Sequence, residues 1–266
     1  MALTVTSLWR YPVKSMVGES LARLEVNKWG PNLDRRWMLV DTRHRFVSQR
    51  QLPMMSRLSA LLTERGVRIQ LVSDPGHGID VAQPTDGQCY DVSVWSDTCS
   101  AIDAGDAPAA WLSDVLGQSV RLCFMPDDYL RQVDTAFAPI GAQVSFADGF
   151  PFLLCSTASL AALSKSLGRT LEMERFRPNI VVTGSEAFAE DAWRRLRIGD
   201  VEFDLVKPCA RCAIPTINLD NGVREPDVFR MLRRERTRDG QVFFGQNLLH
   251  RGDGSITLGQ EVEILK

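Results

Sequence analysis

Histidine is almost missing from this chain. Its 266 residues hold only three, His44, His77 and His250, too few and too scattered to support a histidine-based metal centre or acid–base site. An apolar run of membrane-spanning length is missing as well. The most apolar stretch, FPFLLCSTASLAAL, is interrupted by serine and threonine and is too short for a span. The opening MALTVTSLWRYPVKSM has no basic segment followed by a continuous apolar one, so no signal peptide is read there and a cytoplasmic location is expected. The formal net charge is only −2, which favours neither a nucleic-acid partner nor an anionic membrane. No repeat of solenoid period and no low-complexity tract interrupts the chain. The six cysteines are scattered at 89, 99, 123, 155, 209 and 212, unlike the disulfide framework of a short secreted protein. Cys89, Cys99, Cys123 and Cys155 are read as buried thiols acting as small hydrophobes.

What remains is an ordinary globular composition, 44% hydrophobic and 24% charged, in a chain long enough for one large domain or two modest ones. Strand-like runs dominate: LTVTSLWRYP, RWMLVD, VRIQLVSD, YDVSVWS, SVRLCFM, NIVVTG, LRIGDVEFDLV and SITLGQEVEIL. Many alternate apolar with polar, the pattern of a half-buried strand. Helices are expected at DAPAAWLSDVLG, with Asp106 as N-cap and Gly117 as stop, at STASLAALSKSLG, capped by Ser or Thr and stopped by Gly168, and at EPDVFRMLRRERT, with Pro226 near its start. The fold class is therefore mainly β with a few covering helices. RIGDVEFDL and TLGQEVEIL each set a glycine before an alternating strand, as in tight entries to barrel strands. The polar segment MPDDYLRQVDTAFAPIGAQ reads as a boundary, which predicts two β-rich units joined near residue 125.

One stretch concentrates chemistry: KPCARCAIPTINLD, from Lys207 to Asp220. A zinc ribbon needs a second Cys/His pair, and none follows at suitable spacing. A thioredoxin-like pair needs the first thiol at a helix N-terminus, whereas Pro215 and the β-branched residues after the motif argue for continued β structure. A single thiolate on a soft metal is a third option, with Lys207 and Arg211 favouring the deprotonated form. A buried strand thiol with Arg211 in a surface ion pair is the bland one. Other islands are suggestive. YPVKS ends a strand with Lys14 and Ser15, which are good phosphate donors. NLDRRW sets Arg35 and Arg36 just before the strand Trp37–Asp41. FRPNIV places Arg177 and Asn179 around Pro178, at the lip of a core strand. A lone lysine or arginine at a strand end usually reads as solvated, whereas Arg-Pro-Asn directly entering a buried strand is less easily dismissed.

Together the islands YPVKS, DRRW, VWSDTCSAIDAGDAPAAWLSDVLG, FADGFPFLLCSTASL, FRPNIVV, KPCARC and FGQN resemble, in this order and over nearly the whole chain, the MOSC family. That family is named for the C-terminal domain of molybdenum cofactor sulfurase. The resemblance is to the branch of mitochondrial amidoxime-reducing components and their bacterial relatives. It implies a β-barrel MOSC domain over 126–266 and an α+β N-terminal MOSC region over 1–125, whose first 35 residues complete the C-terminal barrel. It also implies a molybdenum cofactor of the molybdopterin type. Cys212 would ligate molybdenum. Lys14, Ser15 and Arg35 would lie around the pterin and its phosphate. Arg177 and Asn179 would contact the cofactor, and Ala210 and Arg211 would supply backbone and side-chain contacts. Asp148, in FADG, matches an acidic residue close to the metal, which makes it the candidate for proton delivery or for orienting a metal-bound water. Asn247 follows FGQ where animal relatives carry a tyrosine.

The residue types suit that chemistry: lysine and bidentate arginine for phosphate, and a protein that positions and tunes a cofactor carrying the redox work. The implied activity is reduction of N-hydroxylated compounds (hydroxylamines, amidoximes, N-hydroxylated bases) by oxygen transfer to molybdenum. No iron–sulfur cluster is expected in this chain, which ends at QEVEILK without a further cysteine cluster, so electrons would come from a separate ferredoxin- or reductase-type protein. The basic run FRMLRRERTRDG, with Arg230, Arg233, Arg234, Arg236 and Arg238, reads as a solvated helix face that complements the dipole or as the dock for an acidic electron donor. Two other functions compete. One is a non-catalytic cofactor or sulfur carrier with a persulfide on Cys209 or Cys212. The other is a thiol oxidoreductase using both cysteines. The family's loose association with pyridoxal phosphate would make Lys14 a Schiff-base lysine, for which no residue argues specifically.

Overall fold

A computed structural model describes residues 2–266. Strands dominate, arranged in four sheets, with α1 (Asp106–Leu116), α2 (Thr157–Leu167) and α3 (Pro226–Arg236) packed on them. The largest sheet runs in the order Val262–Ile264, Arg195–Ile198, Val201–Ala210, Gln241–Arg251, Phe152–Ser156, Ile180–Thr183, Thr4–Arg10 and Glu19–Leu21, with Thr237–Arg238 added beside Gln241–Arg251. Pairing is antiparallel except between Phe152–Ser156 and Ile180–Thr183, which run parallel. A parallel pair needs a crossover, and α2 lies within it.

Alternation along the strands divides the core. Phe152 and Leu154 point into a cluster with Val5, Leu8, Leu196, Ile198 and Phe203, closed by Leu24, Val26 and Ile256 of a smaller sheet. Leu153 and Cys155 point the other way, under Leu163 of α2 and Val228 and Leu232 of α3. Each such apolar side chain contributes roughly 1.5–3 kcal/mol by leaving water. The N-terminal part has its own core. Trp37 and Leu39 from one sheet, Leu58 and Ile69 from another, and Leu112 of α1 pack together there.

The register decides where the site forms. Leu8 pairs with Ile180, Leu154 with Ile180 on the other side, Leu153 with Asn247, and Asn247 with Lys207. The chain leaving Arg10, the chain entering Ile180 and the Lys207–Ala210 end of its strand therefore meet at one end of the sheet. The N-terminal part reaches the same end, because Lys14 N–H donates to Trp37 O (2.8 Å) and Phe146 N–H to Arg35 O (3.0 Å).

Several local expectations need correction. Asp106 is the first residue of α1, with Gly105 at the cap. Ser156 caps α2 in position only, since its hydroxyl pairs with that of Ser185 (3.1 Å). Gly117 and Gly168 do end α1 and α2 in the left-handed conformation. LRIGDVEFDLV is a hairpin of two strands, and SITLGQEVEIL divides between two sheets. Cys89 is exposed, because the alternation that buries Val92 and Val94 turns it outward at the strand end. The residues after Cys212 form a 3₁₀ turn, Ile214–Thr216, and lead into α3 rather than another strand. Arg236 is not solvated: it is buried against Asp191 (2.6 Å), which Arg238 and Gln246 also engage.

The longest strand, Gln241–Arg251, is absent from the sequence expectations. Its Gly245 breaks the pattern and has a structural reason to be there: φ is +80°, and an added Cβ would lie 2.8 Å from Cys155 Sγ and Leu154 O. Gly245→Ala should therefore lower unfolding free energy on the order of 2–4 kcal/mol, combining left-handed strain with overpacking. Gly117→Ala, at φ +64° with nothing within 4 Å of the new Cβ, should cost only about 1–2 kcal/mol. Urea titration of both variants checks the contrast.

Candidate functional site

At this end of the sheet lies an open cavity of about 800 Å³ including its mouth. Its wall holds Lys14, Ser15, Arg35, Asp148, Arg177, Asn179, Cys209, Ala210, Arg211, Cys212 and Asn247. The tertiary structure thus brings together every residue that the sequence singled out for cofactor, metal or catalysis. Arg36 is the exception among the islands. It turns away, buried against Met125 O and Asp127.

The local backbone is unusual there. Ser15 (φ 68°), Arg35 (φ 47°) and Arg177 (φ 57°) all adopt the left-handed conformation, at a cost on the order of 1–3 kcal/mol each for residues with a Cβ. All three lie in irregular segments flanking strands, where the surrounding hydrogen bonds hold them. Arg35 N–H donates to Tyr11 O (2.7 Å) and Arg177 N–H to Glu174 O (3.1 Å), and Gln49 Nε2 donates to Ser15 O (2.8 Å).

A buried carboxylate organises the arginines. Asp34 accepts from Tyr11 N–H (2.8 Å), Arg35 Nη1 (2.5 Å) and Asn179 Nδ2 (3.2 Å). Arg35 also donates to Asn179 Oδ1 (3.0 Å) and Arg177 O (3.2 Å). Both the Arg35 and Arg177 guanidinium carbons lie 4.2 Å from the centroid of the Tyr11 ring, whose hydroxyl donates to Pro178 O (3.0 Å). Burial, with Arg35 close by, pushes the Arg177 guanidinium down to about 10, so it stays cationic at neutral pH. One arm of Arg177 donates to Met16 O (2.5 Å), while Nη2 is buried without a protein partner.

On the opposite wall Lys14, only 4% exposed, donates to Phe146 O (2.7 Å) and Asp148 Oδ1 (2.5 Å). The indole N–H of Trp95 donates to the same oxygen (3.2 Å). Desolvation raises the Asp148 pKa, but the Lys14 charge and the two donors outweigh it and hold the carboxyl well below its ordinary value. The expectation that Asp148 delivers protons therefore meets a carboxylate that is ionised at neutral pH. It is suited instead to accept a hydrogen bond or orient a water.

The cysteine motif closes the cavity floor. The strand Val201–Ala210 ends at its second residue, and Arg211 N–H donates to Val242 O (2.8 Å). The Arg211 side chain donates to Cys209 Sγ (3.1 Å) and Phe176 O (2.9 Å), leaving its buried Nε without a partner. Its guanidinium is held cationic against burial by Cys209, Cys155 and Cys212 around it. Cys209 packs on the core beneath α2 and α3, while both motif cysteines border the cavity.

Five cationic side chains (Lys14, Arg35, Arg50, Arg177 and Arg211) thus face one carboxylate, Asp148, around the cavity. Two of them carry buried N–H groups with no protein partner, a state that native structures seldom leave uncompensated. That donor set fits an anionic, phosphate-bearing ligand. Among the described residues no group of three or more His, Cys, Asp or Glu side chains is placed to hold a metal ion, so a metal at Cys212 would need donors from such a ligand. Sequence reading missed Asp34, Tyr11, Trp95 and Arg50 as individual site residues. The first three lie inside the quoted islands, but their roles depend on partners 53 to 167 residues away.

Comparison with known proteins identifies the family. Residues 2–119 match the family model described as the MOSC N-terminal beta barrel domain, and residues 141–263 match the MOSC domain. Mitochondrial amidoxime-reducing component 1 of Homo sapiens is 32% identical over 98% of this chain and 83% of its own length. Mitochondrial amidoxime reducing component 2 of the same species is 31% identical over 83% of the chain and 68% of its own. Molybdenum cofactor sulfurase of Bos taurus is 27% identical over 92% of the chain but only 30% of its own length.

The Lys14–Asp148 pair makes a pH prediction. Because the folded pKa of Asp148 is depressed below the ordinary value of 3.8, the stability linked to its ionisation is present above that value and is lost as pH falls through the lower folded one. Carboxyl-carbon NMR should show Asp148 still ionised at about pH 4, and Lys14→Met should move its titration upward. A titration unchanged in Lys14→Met would refute the ion pair.

Proposed function

This chain belongs to the MOSC family, and from that membership and the cavity we propose that it is a molybdenum-cofactor-binding oxidoreductase acting on N-hydroxylated compounds. The observation that carries the proposal is the convergence, on one cavity, of Cys212 with a cationic wall whose Arg177 and Arg211 retain buried, unpartnered N–H groups. A phosphate-bearing pterin with a metal satisfies both halves of that wall. When bound, the cofactor supplies a soft metal centre able to take up the oxygen of an N–OH group in a two-electron reduction.

The chain's own residues supply position and charge. Cys212 offers the thiolate ligand, a softer donor than any nitrogen or oxygen on the wall, while Cys209 packs on the core beneath α2 and α3. Arg35 and Arg177, preoriented by Asp34 and Tyr11, meet the phosphate and pterin, and Ser15 and the backbone at Ala210 add further hydrogen bonds. Lys14 has three N–H donors, of which Phe146 O and Asp148 take two, leaving one for the ligand. Asn179, fully engaged with Trp9 O, Asp34, Arg35 and Leu153 N–H, holds the Arg177 turn in register. Asp148 stays ionised and orients the N–H groups of substrate or a water. The net reaction would consume two electrons from a separate protein and two protons from solvent, and release the amine or amidine and water.

The same reading treats residues 1–35 as completing the C-terminal barrel and places the division between units near residue 125. The pairing of Thr4–Arg10 with Ile180–Thr183 supports it. For the electron donor, the exposed face of α3 is the proposed dock. Arg230, Arg233 and Arg234 are exposed there, and Arg233 shares a second cleft with Ala210 and Arg211, directly behind the motif. No helix among the described residues is long and apolar enough to cross a membrane.

Protein made in a cofactor-competent host should contain molybdenum and reduce benzamidoxime when given a donor. A folded Cys212→Ser variant should lose metal and activity together, whereas Cys209→Ser should retain most of both. If Cys209→Ser abolishes activity while metal content is irrelevant to it, the cysteines work as a dithiol pair instead. Replacing Arg230, Arg233 and Arg234 by glutamine should slow reduction by an acidic donor several-fold at low salt, with the difference vanishing above about 0.3 M as screening shortens the field. Equal rates at every ionic strength would remove α3 as the dock.

A further inference from the structure

A second cavity, about 1130 Å³ including its mouth, opens beside the first and shares Asp148, Gly149, Phe150, Cys209, Ala210 and Asn247 with it. Its character differs. Arg35, Arg50, Arg177 and Arg211 are missing from its wall, which adds the indole of Trp95 to the shared Phe150 ring, together with Asp97, Arg131, Asp134 and Lys207. Phe150 is braced edge-on by Phe137 (centroids 5.9 Å apart), and Lys207 Nζ sits 4.6 Å over Phe137.

Trp95 is held in place at a conformational cost. It forms, with Ser96, the two-residue turn between Cys89–Val94 and Asp97–Asp103, where Val94 pairs with Asp97. Turns of this length favour Gly, Asn or Asp at positions of positive φ, yet Trp95 has φ 58°. For a bulky side chain this is a genuine outlier. Packing does not require it: the residue remains 48% exposed. What surrounds it fixes its orientation. Arg50 lies 4.1 Å over the ring, Phe46 is tilted against it at 5.1 Å, and the indole N–H reaches Asp148 Oδ1. A strained residue that is both exposed and oriented by its neighbours marks a ligand contact more readily than a structural one.

We propose that this second cavity is the substrate vestibule, and that Trp95 is a specificity-determining residue that stacks planar aromatic N-hydroxylated substrates and delivers their N–OH group to the Asp148–Cys212 junction. The inference rests on the reductase reading above for the chemistry of the ligand. It adds that aryl amidoximes and N-hydroxylated heterocycles are preferred over small hydroxylamines, because only a flat ring can use the Trp95 face. Asp148, whose Oδ1 takes both the Lys14 and the Trp95 protons, keeps Oδ2 for the N–H beside the N–OH.

The test compares wild type with Trp95→Phe, which keeps an aromatic face, and Trp95→Gly, which removes the ring while relieving the backbone. Benzamidoxime binding to cofactor-loaded protein is measured calorimetrically without an electron donor, and steady-state kinetics are then run with benzamidoxime and with hydroxylamine. Trp95→Gly should weaken benzamidoxime binding and raise its KM about tenfold, and Trp95→Phe about threefold or less, as expected for loss of an aromatic contact. The KM for hydroxylamine should shift less than about twofold, since it makes no ring contact. Unchanged benzamidoxime binding in Trp95→Gly would overturn the proposal, as would an equal loss for both substrates, which would point to a disturbed Asp148. Failure of wild type to bind benzamidoxime would overturn it too. Trp95-dependent binding without turnover of any N-hydroxylated compound would sink the reductase reading and leave the aromatic site standing.

Discussion

The site depends on one buried anion. Asp34, 3% exposed, ties the Tyr11 backbone, the Arg35 guanidinium and the Asn179 amide into a single knot. These residues come from three separate parts of the chain, and Asn179 borders the strand whose pairing joins the N-terminal strand to the large sheet. Burial alone would push the Asp34 carboxyl toward its neutral form, while Arg35 and the hydrogen bonds oppose that. The exchange is mutual. Two guanidinium groups packed on one tyrosine would repel each other without a carboxylate beneath them, and an isolated buried carboxylate would be costly without the arginines.

Around that knot the protein gathers more positive charge than its own carboxylates balance, although the whole chain is nearly neutral. The imbalance is local and costly, as are the left-handed conformations of Ser15, Arg35, Arg177 and Trp95. Four of the eight non-glycine residues of positive φ among the described residues thus lie on the walls of two adjoining cavities. A fold selected for stability alone would place glycine at such turns and pair the arginines fully. Departures of this kind concentrate where binding repays them, and here they mark an arginine-rich chamber for an anionic ligand and an adjoining one bordered by Trp95.

Local physics explains what was legible in the chain. Amphipathic helices stopped by Gly117 and Gly168, and alternating strands such as Ile180–Thr183, follow from short-range propensity and side-chain periodicity. The Gln241–Arg251 strand was hidden because Gly245 looks like a break until its close approach to Cys155 and Leu154 is seen. Cys89 was misjudged because strand ends do not reveal which face is covered. Arg236 reads as one more surface charge in a basic run, yet Asp191, from a distant turn, buries it.

Sequence alone determined the β-rich class, the helices, the identity of the cysteine motif and the ordered islands that carry the family resemblance. These depend on residue type and near neighbours, which a linear chain displays. Tertiary structure alone decided that the islands form one wall, that Asp148 is an ionised partner of Lys14, and that Trp95 faces a second chamber. The reason is physical: charge, burial and strain at each residue are set by groups brought close through strand register, across separations of more than a hundred residues that no local pattern encodes.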